Sequence, residues 1–223
     1  MDVITIRIDE KREIELLPPS TSLPERPLII LAHGAGNNMH SQFMQLISEY
    51  LEEYKINVLR FNFSYKVYGK KIPDTQSVLE QAWLSAVDWT GNNLKYSGLF
   101  IGGKSLGARI ASIISSRLKN LLGLVFLGYP LHLPGKLENL RDKHLYDLNL
   151  PMLFLQGTRD PFAKLELLEK VIRKLEPFSH LFLLEQADHS YKMPKKLDRT
   201  YENILKEAAD ITARWILQIW ENK

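Results

Sequence analysis

The sequence predicts an α/β protein, in which helices cover both faces of a mostly parallel, doubly wound sheet and an antiparallel hairpin precedes it. Short continuous apolar runs, typical of strands buried on both faces, recur along the chain. Amphipathic helical patterns alternate with these runs, as they do in parallel sheets. The chain has 223 residues, 45% of them hydrophobic and 25% charged. This length is most economically one domain over residues 1–223.

The elements follow in order along the chain. Alternating apolar residues at 3–8 and 14–17 predict the two strands of the hairpin. Apolar residues at helical spacing predict helices after the first buried strand, over 76–94, over 162–175 and at the C-terminus. The predicted strands of the main sheet are 28–33, 57–63, 98–103, 121–128, 151–157 and 180–185. Reactive groups in such sheets gather at the carboxyl ends of the strands.

Composition excludes several classes of function. The net charge of +3, from 29 basic and 26 acidic residues, is too even for a nucleic-acid-binding protein. The absence of cysteine excludes disulfides and thiolate chemistry. The N-terminus does not resemble a signal peptide, and no apolar run is long enough to span a bilayer. We expect a soluble, cytoplasmic protein without a nucleic-acid or membrane partner; the sequence does not predict its oligomeric state.

The stretch IGGKSLGAR, residues 101–109, lies where a predicted strand gives way to a helix. Within it, residues 103–107 match G-x-S-x-G, the nucleophile elbow that holds a serine hydroxyl clear of the backbone. The following helix supplies N–H groups and the positive end of a dipole. A plain glycine-rich turn explains the motif equally well. Ser105 is therefore a candidate nucleophile, which would need a base and donors for an oxyanion.

The stretch AHGAG, residues 32–36, is the candidate source of those donors. It follows the strand 28–33, and its glycines allow the backbone to approach a substrate oxygen. The N–H of Ala35 could pair with the N–H of Leu106 to form an oxyanion hole. The alternative is a simple turn between strand and helix. We expect His33 to be structural, bonded to the backbone of this loop.

Asp160 and His189 are the candidate acid and base that would act with Ser105. Asp160 ends the run LFLQGTRD beyond one strand, and His189 lies in EQADHSY just after the strand 180–185. In a catalytic role the Asp160 carboxylate would lie against an imidazole. Pro161 follows Asp160, so Asp160 could also be a helix N-cap, and the two roles are compatible. The order Ser, Asp, His is that of the α/β-hydrolase triad and differs from the orders in chymotrypsin and subtilisin.

With these residues the sequence resembles the α/β-hydrolase superfamily, in its small, capless, dienelactone-hydrolase-like branch. More narrowly, it resembles a family of predicted hydrolases that includes the testis-expressed hydrolase-like protein and a subunit of a histone-acetyltransferase (NSL) complex. The matching segments are HGAGNNM, LRFNFSY, GGKSLGAR, LGYPLHLPGK, LYDLNLPMLFLQGTRDPF and ADHSY. This resemblance implies an α/β-hydrolase fold with no large cap domain, a triad of Ser105, Asp160 and His189, and oxyanion donors at Ala35 and Leu106. Dienelactone hydrolases carry a cysteine nucleophile where this chain has Ser105, so dienelactone chemistry is not implied.

The implied function is a serine hydrolase, similar to a carboxylesterase, that cleaves a small acyl substrate through an acyl-enzyme. Neither a metal nor an organic cofactor is needed. Two alternatives stay open: a hydrolase-like interaction subunit with weak or absent turnover, and an acyltransferase or peptidase that uses the same triad.

Two further expectations concern the substrate pocket. Only 21 residues, 129–149, lie where larger relatives carry a cap, so the site should be open, with Tyr129 and His132 at its edge or else packed within the loop. Lysines at the strand ends would form a positive rim that attracts anionic substrates, unless they are ordinary solvated side chains. These lysines are Lys66, Lys70, Lys71, Lys104, Lys192, Lys195 and Lys196.

Overall fold

A computed structural model describes residues 2–223 and contains one eight-stranded sheet with the strand order β1-β2-β4-β3-β5-β6-β7-β8. The strands are β1 (Ile4–Arg7), β2 (Glu13–Leu17), β3 (Leu28–Ala32), β4 (Asn57–Asn62), β5 (Leu99–Lys104), β6 (Leu121–Leu127), β7 (Met152–Gly157) and β8 (Ser179–Leu184). From β4 to β8 across the sheet every pairing is parallel, whereas β1 pairs with β2 and β2 with β4 in antiparallel fashion. The predicted α/β class and the N-terminal hairpin are confirmed, and each strand ends within one residue of its predicted bounds.

Helices cover both faces of this sheet. They are α1 (Gln42–Glu53), α2 (Ser64–Val67), α3 (Gln76–Asn93), α4 (Leu106–Ile114), α5 (Leu165–Lys174) and α6 (Tyr201–Glu221). The helices α1 and α6 bury their apolar residues in a cluster on one face, and α3, α4 and α5 bury theirs in a cluster on the other. The sequence did not predict the single turn α2. The helix predicted over 162–175 begins only at Leu165.

The register of the sheet brings the carboxyl ends of its central strands together. Ala32 of β3 pairs with Gly103 of β5, and Lys104 of β5 pairs with Leu127 of β6. On the other side Gly157 of β7 pairs with Leu184 of β8. The loops that carry the predicted site residues therefore leave the sheet from one edge.

Within residues 2–223 no cap domain covers this edge. Between β6 and β7, where the sequence leaves no room for a cap, the chain forms only a 3₁₀ turn at Lys143–Asp147. The expected open site is thus the observed arrangement.

Candidate active site

Ser105 lies in a strained turn between β5 and α4. Its φ of 52° and ψ of −108° define a conformation that a residue with a side chain rarely adopts. Gly103, two residues earlier, has a φ of 149°. The Ser105 N–H donates to the carbonyl oxygen of Leu127 across the sheet, at 3.3 Å. The turn is therefore held by β6 and by the start of α4, where the Arg109 N–H donates to the Ser105 carbonyl oxygen.

Close contact with the backbone of β3 explains the glycines on either side of this serine. A methyl group added to Gly103 or to Gly107 would overlap the carbonyl oxygen of Ala32. Neither position has room for a side chain. Gly103 pairs with Ala32 across β5 and β3, and Gly107 lets α4 lie directly on β3. The steric and the catalytic interpretations of the glycine-rich stretch are consequently compatible.

The side chains of Ser105, His189 and Asp160 are joined by two hydrogen bonds in series. Nε2 of His189 lies 2.9 Å from the Ser105 Oγ, and Nδ1 of His189 lies 2.6 Å from the Asp160 Oδ2. With the neutral imidazole protonated at Nδ1, that nitrogen donates to the carboxylate and Nε2 accepts from the serine hydroxyl. The structure thus brings together the three residues that the sequence predicts as a triad, from three different strand ends.

Backbone hydrogen bonds fasten the aspartate loop to the histidine loop. The Arg159 N–H donates to the Ala187 carbonyl oxygen at 2.9 Å, and the Thr158 N–H donates to the carbonyl oxygen of Leu184 at 3.2 Å. A methyl group on Gly157 would overlap the Ala187 carbonyl oxygen, so this glycine permits the close approach. These contacts fix the separation between the two loops that carry Asp160 and His189.

The prediction that Asp160 caps the following helix is wrong. Helix α5 begins at Leu165, with Lys164 as its N-cap residue. The Asp160 Oδ1 instead accepts from the N–H of Phe162 at 2.7 Å, which closes a local turn and leaves Oδ2 for the imidazole. The two carboxylate oxygens therefore have separate partners.

Two supporting residues were not identified from the sequence. Gln156 is fully buried near the end of β7 and donates from Nε2 to the Asp160 Oδ2. The ring of Phe162 lies against the His189 imidazole, with the ring centroids 4.4 Å apart. A polar glutamine inside the apolar run LFLQG was the available signal for the first, whereas nothing in the sequence places Phe162 on the imidazole.

The electrostatic surroundings keep His189 in its neutral form. Burial lowers the pKa of His189, because water that would solvate an imidazolium is excluded. The hydrogen bond that His189 donates to Asp160 opposes this shift, and the nearby Lys104 adds to it. An imidazole that is neutral below its ordinary pKa can accept a proton from Ser105 over a wide pH range.

The predicted oxyanion donors lie beside the elbow. Ala35 is exposed in the turn after β3, and a methyl group on its neighbour Gly34 would lie 3.5 Å from the Ser105 Cβ. Leu106 is the first residue of α4, so its N–H has no acceptor within the helix. Leu106 thus directly follows Ser105, and Ala35 adjoins Gly34, which packs against Ser105; their role as oxyanion donors stays a prediction.

His33 anchors the donor loop, as the sequence predicts. It is fully buried; Nδ1 lies 2.9 Å from the Gly34 carbonyl oxygen and Nε2 accepts from the Phe63 N–H at 3.3 Å. These bonds require a neutral ring protonated at Nδ1. Burial lowers the pKa of His33 to about 4.

This burial predicts a loss of stability in acid. Below pH 6.5 the unfolded chain binds a proton at His33 and the folded chain does not until pH falls to about 4, so the free energy of unfolding decreases across that interval. The expected loss attributable to His33 is about 3 kcal/mol. Urea denaturation at a series of pH values measures it.

The test variant is His33→Asn, and the matched control is His40→Asn, because His40 is exposed. The first variant should lose most of this acid-induced decrease, and the second should retain it. An unchanged decrease in His33→Asn would assign the acid sensitivity to other groups.

The expectation that Lys104 belongs to a rim is wrong. Its side chain is only 7% exposed, on the side of the sheet covered by α1 and α6. Its ammonium lies over the rings of Phe43 and Tyr191 instead of in solvent. The other predicted rim lysines are half-buried, at Lys66, or exposed.

Tyr129 and His132 pack within the loop after β6, as the alternative interpretation holds. Tyr129 is fully buried and donates from its hydroxyl to the Arg141 carbonyl oxygen at 2.7 Å. His132 is 1% exposed and its Nε2 accepts from the Lys164 N–H at 2.8 Å. His132 also borders an open groove of about 490 Å³ that reaches Asp160, so one of the two contributes to a surface beside the triad.

The described chain, residues 2–223, contains no cluster of three acidic or histidine side chains that could hold a metal ion. Over the same residues no helix combines the length and the apolar character that crossing a membrane requires.

Comparisons with known proteins agree with the fold. The family model described as an alpha/beta hydrolase domain matches residues 25–217. An alpha-beta serine hydrolase homologue from Coxiella burnetii is similar in structure, with a TM-score of 0.74, 16% identity and coverage of 96% of each chain.

Two further solved structures are similar. A dienelactone hydrolase from Anabaena variabilis has a TM-score of 0.74 at 17% identity, over 97% of this chain and 96% of its own. Est1E from Butyrivibrio proteoclasticus has a TM-score of 0.73 at 14% identity, over 97% of this chain and 100% of its own. At these identities the likeness concerns the fold.

Proposed function

We propose, from the premise that this chain belongs to the alpha/beta hydrolase domain family, that it is a serine hydrolase acting on a carboxylic ester or related acyl compound. The observation that carries the proposal is the hydrogen-bonded relay from Ser105 through His189 to Asp160 in a strained elbow. The positive φ of Ser105 costs conformational free energy, and strain of this kind clusters at active sites, which favours a catalytic role. The narrower resemblance, to the family of predicted hydrolases, is part of the same proposal.

Acylation begins when the Ser105 Oγ attacks the acyl carbonyl carbon and its proton passes to Nε2 of His189. The Asp160 carboxylate holds the imidazole in the required tautomer and stabilises the imidazolium that forms. The N–H groups of Ala35 and Leu106 donate to the carbonyl oxygen as it becomes an anion. The imidazolium then protonates the leaving group, and its departure leaves an ester of Ser105.

Deacylation repeats these steps with water. His189 takes a proton from the attacking water, the donors again hold the oxyanion, and the proton returns to the Ser105 Oγ as the acid leaves. The absence of a cap leaves this edge accessible, which suits a substrate small enough to be bound mainly by the loops themselves.

A fluorophosphonate probe tests the nucleophile directly. Such a probe reacts with an activated serine, so the wild-type protein should be labelled at Ser105 and the Ser105→Ala variant should not. Ser112 offers a matched control, since it also contacts a histidine, His144, at 2.8 Å, yet is buried in α4. Labelling of Ser112→Ala should equal that of wild type. Equal labelling of wild type and Ser105→Ala would remove Ser105 from the mechanism.

A series of p-nitrophenyl esters and thioesters of increasing acyl length then defines the substrate class. Hydrolysis confined to short chains would support a small open site, and turnover unchanged in Ser105→Ala would contradict the proposed chemistry. Labelling of Ser105 together with no turnover of any member, and copurification of a stable partner, would instead favour the interaction subunit.

A further inference from the structure

Lys104 is the one residue of the nucleophile elbow whose burial the mechanism above does not explain. It is the last residue of β5, directly before Ser105, and its Nζ is inaccessible to solvent and has no hydrogen-bond partner within residues 2–223. A lysine is almost never buried in this way without a partner, because an ammonium removed from water loses its solvation. A methionine or leucine would fill the same space without that cost.

The surroundings of Nζ are suited to a positive charge that acts at a distance. Nζ lies 5.2 Å from the ring centroid of Tyr191 and 5.7 Å from that of Phe43, and the two ring centroids are 5.4 Å apart. Aromatic faces attract a cation through their quadrupoles without taking a proton from it. The Tyr191 hydroxyl is directed elsewhere, since it donates to the Leu155 carbonyl oxygen.

Gly128 opens the space between this ammonium and the triad. A methyl group added to Gly128 would lie 2.6 Å from the Lys104 Nζ and 3.7 Å from the Asp160 Oδ2. The ammonium and the carboxylate therefore border the same small space, which a larger residue at 128 would fill. Gly128 has a φ of 73°, a conformation that also favours glycine here.

Charges on the histidine and aspartate loops face this group. Asp160 and Asp188 both favour its charged form, while burial dominates and lowers the pKa of Lys104 to about 8. The same ammonium lowers the pKa of His189, in the direction opposite to the effects of Asp160 and Asp188.

We propose that Lys104 is a positioning residue of the triad, whose buried charge acts through Asp160 and His189 and sets the lower pH limit at which Ser105 is activated. It touches neither substrate nor reacting atoms. Its charge opposes the formation of imidazolium in the resting protein and attracts the Asp160 carboxylate. The inference rests on the proposed serine hydrolase function, but its effect on the imidazole does not require turnover.

The test replaces the charge with an apolar side chain of similar length, in Lys104→Met. Without the ammonium, His189 binds a proton more readily, so the acidic limb of kcat/KM for p-nitrophenyl acetate should move to higher pH by about one unit. The control is Lys192→Met, which removes the charge of an exposed lysine in the loop that carries His189, where water screens the charge. That variant should keep the wild-type limb.

A titration of the His189 ring by NMR, in the full chain, gives the same information without turnover. The midpoint should be higher in Lys104→Met than in wild type and unchanged in Lys192→Met. Equal midpoints in all three would reduce Lys104 to a space-filling residue and overturn the inference. A shifted midpoint in a protein that hydrolyses no ester would overturn the proposed function and leave the inference intact.

Folding of the variant is checked by circular dichroism. If Lys104→Met does not fold, Lys104→Gln, which keeps a polar end of similar length without the charge, takes its place in both measurements. A kcat/KM profile that falls in height at every pH without moving its limb would indicate a purely structural role and contradict the proposal.

Discussion

Asp160→Asn is expected to lower kcat for p-nitrophenyl acetate by about 10⁴-fold while the protein remains folded. In the wild-type protein the carboxylate Oδ2 accepts from Nδ1 of His189, which leaves Nε2 free to take the Ser105 proton. An amide group facing Nδ1 donates instead of accepting, so the ring carries its proton on Nε2 and cannot act as a base for the serine. Steady-state kinetics at neutral pH measure the effect.

The fold should tolerate this change because the neighbouring groups can adapt. The Oδ1 that accepts from the Phe162 N–H is retained. Gln156 has a buried Oε1 without a donor, so rotation of its amide provides an acceptor for the new amide group. Thermal unfolding within a few degrees of wild type would show that the loss is chemical.

Asp188→Asn is the matched control. Asp188 lies one residue from His189 and accepts from the N–H groups of Ser190 and Lys192 through a single oxygen, which an asparagine also provides. It makes no hydrogen bond to the imidazole, so kcat should change by less than about tenfold. Similar losses in the two variants would show that the charge of the loop, and not the tautomer of His189, controls activity.

Gly107→Ala is expected to lower the free energy of unfolding by about 3 kcal/mol or more, or to prevent folding. The added methyl group would overlap the carbonyl group of Ala32, a backbone atom that cannot move without disturbing β3. Helix α4 would have to move away from the sheet and carry the elbow with it. Urea denaturation gives the change in stability, and fluorophosphonate labelling of the folded fraction reports the elbow.

Gly91→Ala controls for the intrinsic effect of the same substitution. Gly91 lies near the end of α3, and a methyl group there would meet only the Tyr96 hydroxyl, at 3.9 Å. Alanine favours a helix over glycine, so this variant should be more stable than wild type by about 0.5 kcal/mol. A Gly107→Ala protein as stable as Gly91→Ala would show that α4 does not depend on this close contact.

Much of the fold could be predicted because its signals are local. A strand buried on both faces must be apolar at every position, so runs such as LIILA mark β3 almost to the residue. The triad could be predicted for a related reason. Parallel strands bring their carboxyl ends to one edge, so Ser105, Asp160 and His189 were expected to be neighbours before any distance was known.

Other features depend on contacts between distant segments, which no local pattern encodes. Helix α5 begins at Leu165, not at 162, because Asp160 is engaged with Phe162 and His189 and the Lys164 N–H donates to His132. The role of Gln156 could not be predicted for the same reason, because it depends on where the aspartate loop places Asp160.

Lys104 shows most clearly what sequence and tertiary structure each determine. The chain alone places a lysine in a G-x-S-x-G motif at the end of a strand, where its charge suggests a solvated rim. Only the packing of Phe43 from α1 and Tyr191 from the histidine loop encloses its ammonium, and only the missing side chain of Gly128 leaves the ammonium facing Asp160. Residue type and local spacing determine which chemistry is available, whereas burial is set by neighbours far away in sequence, and burial decides where a charge acts.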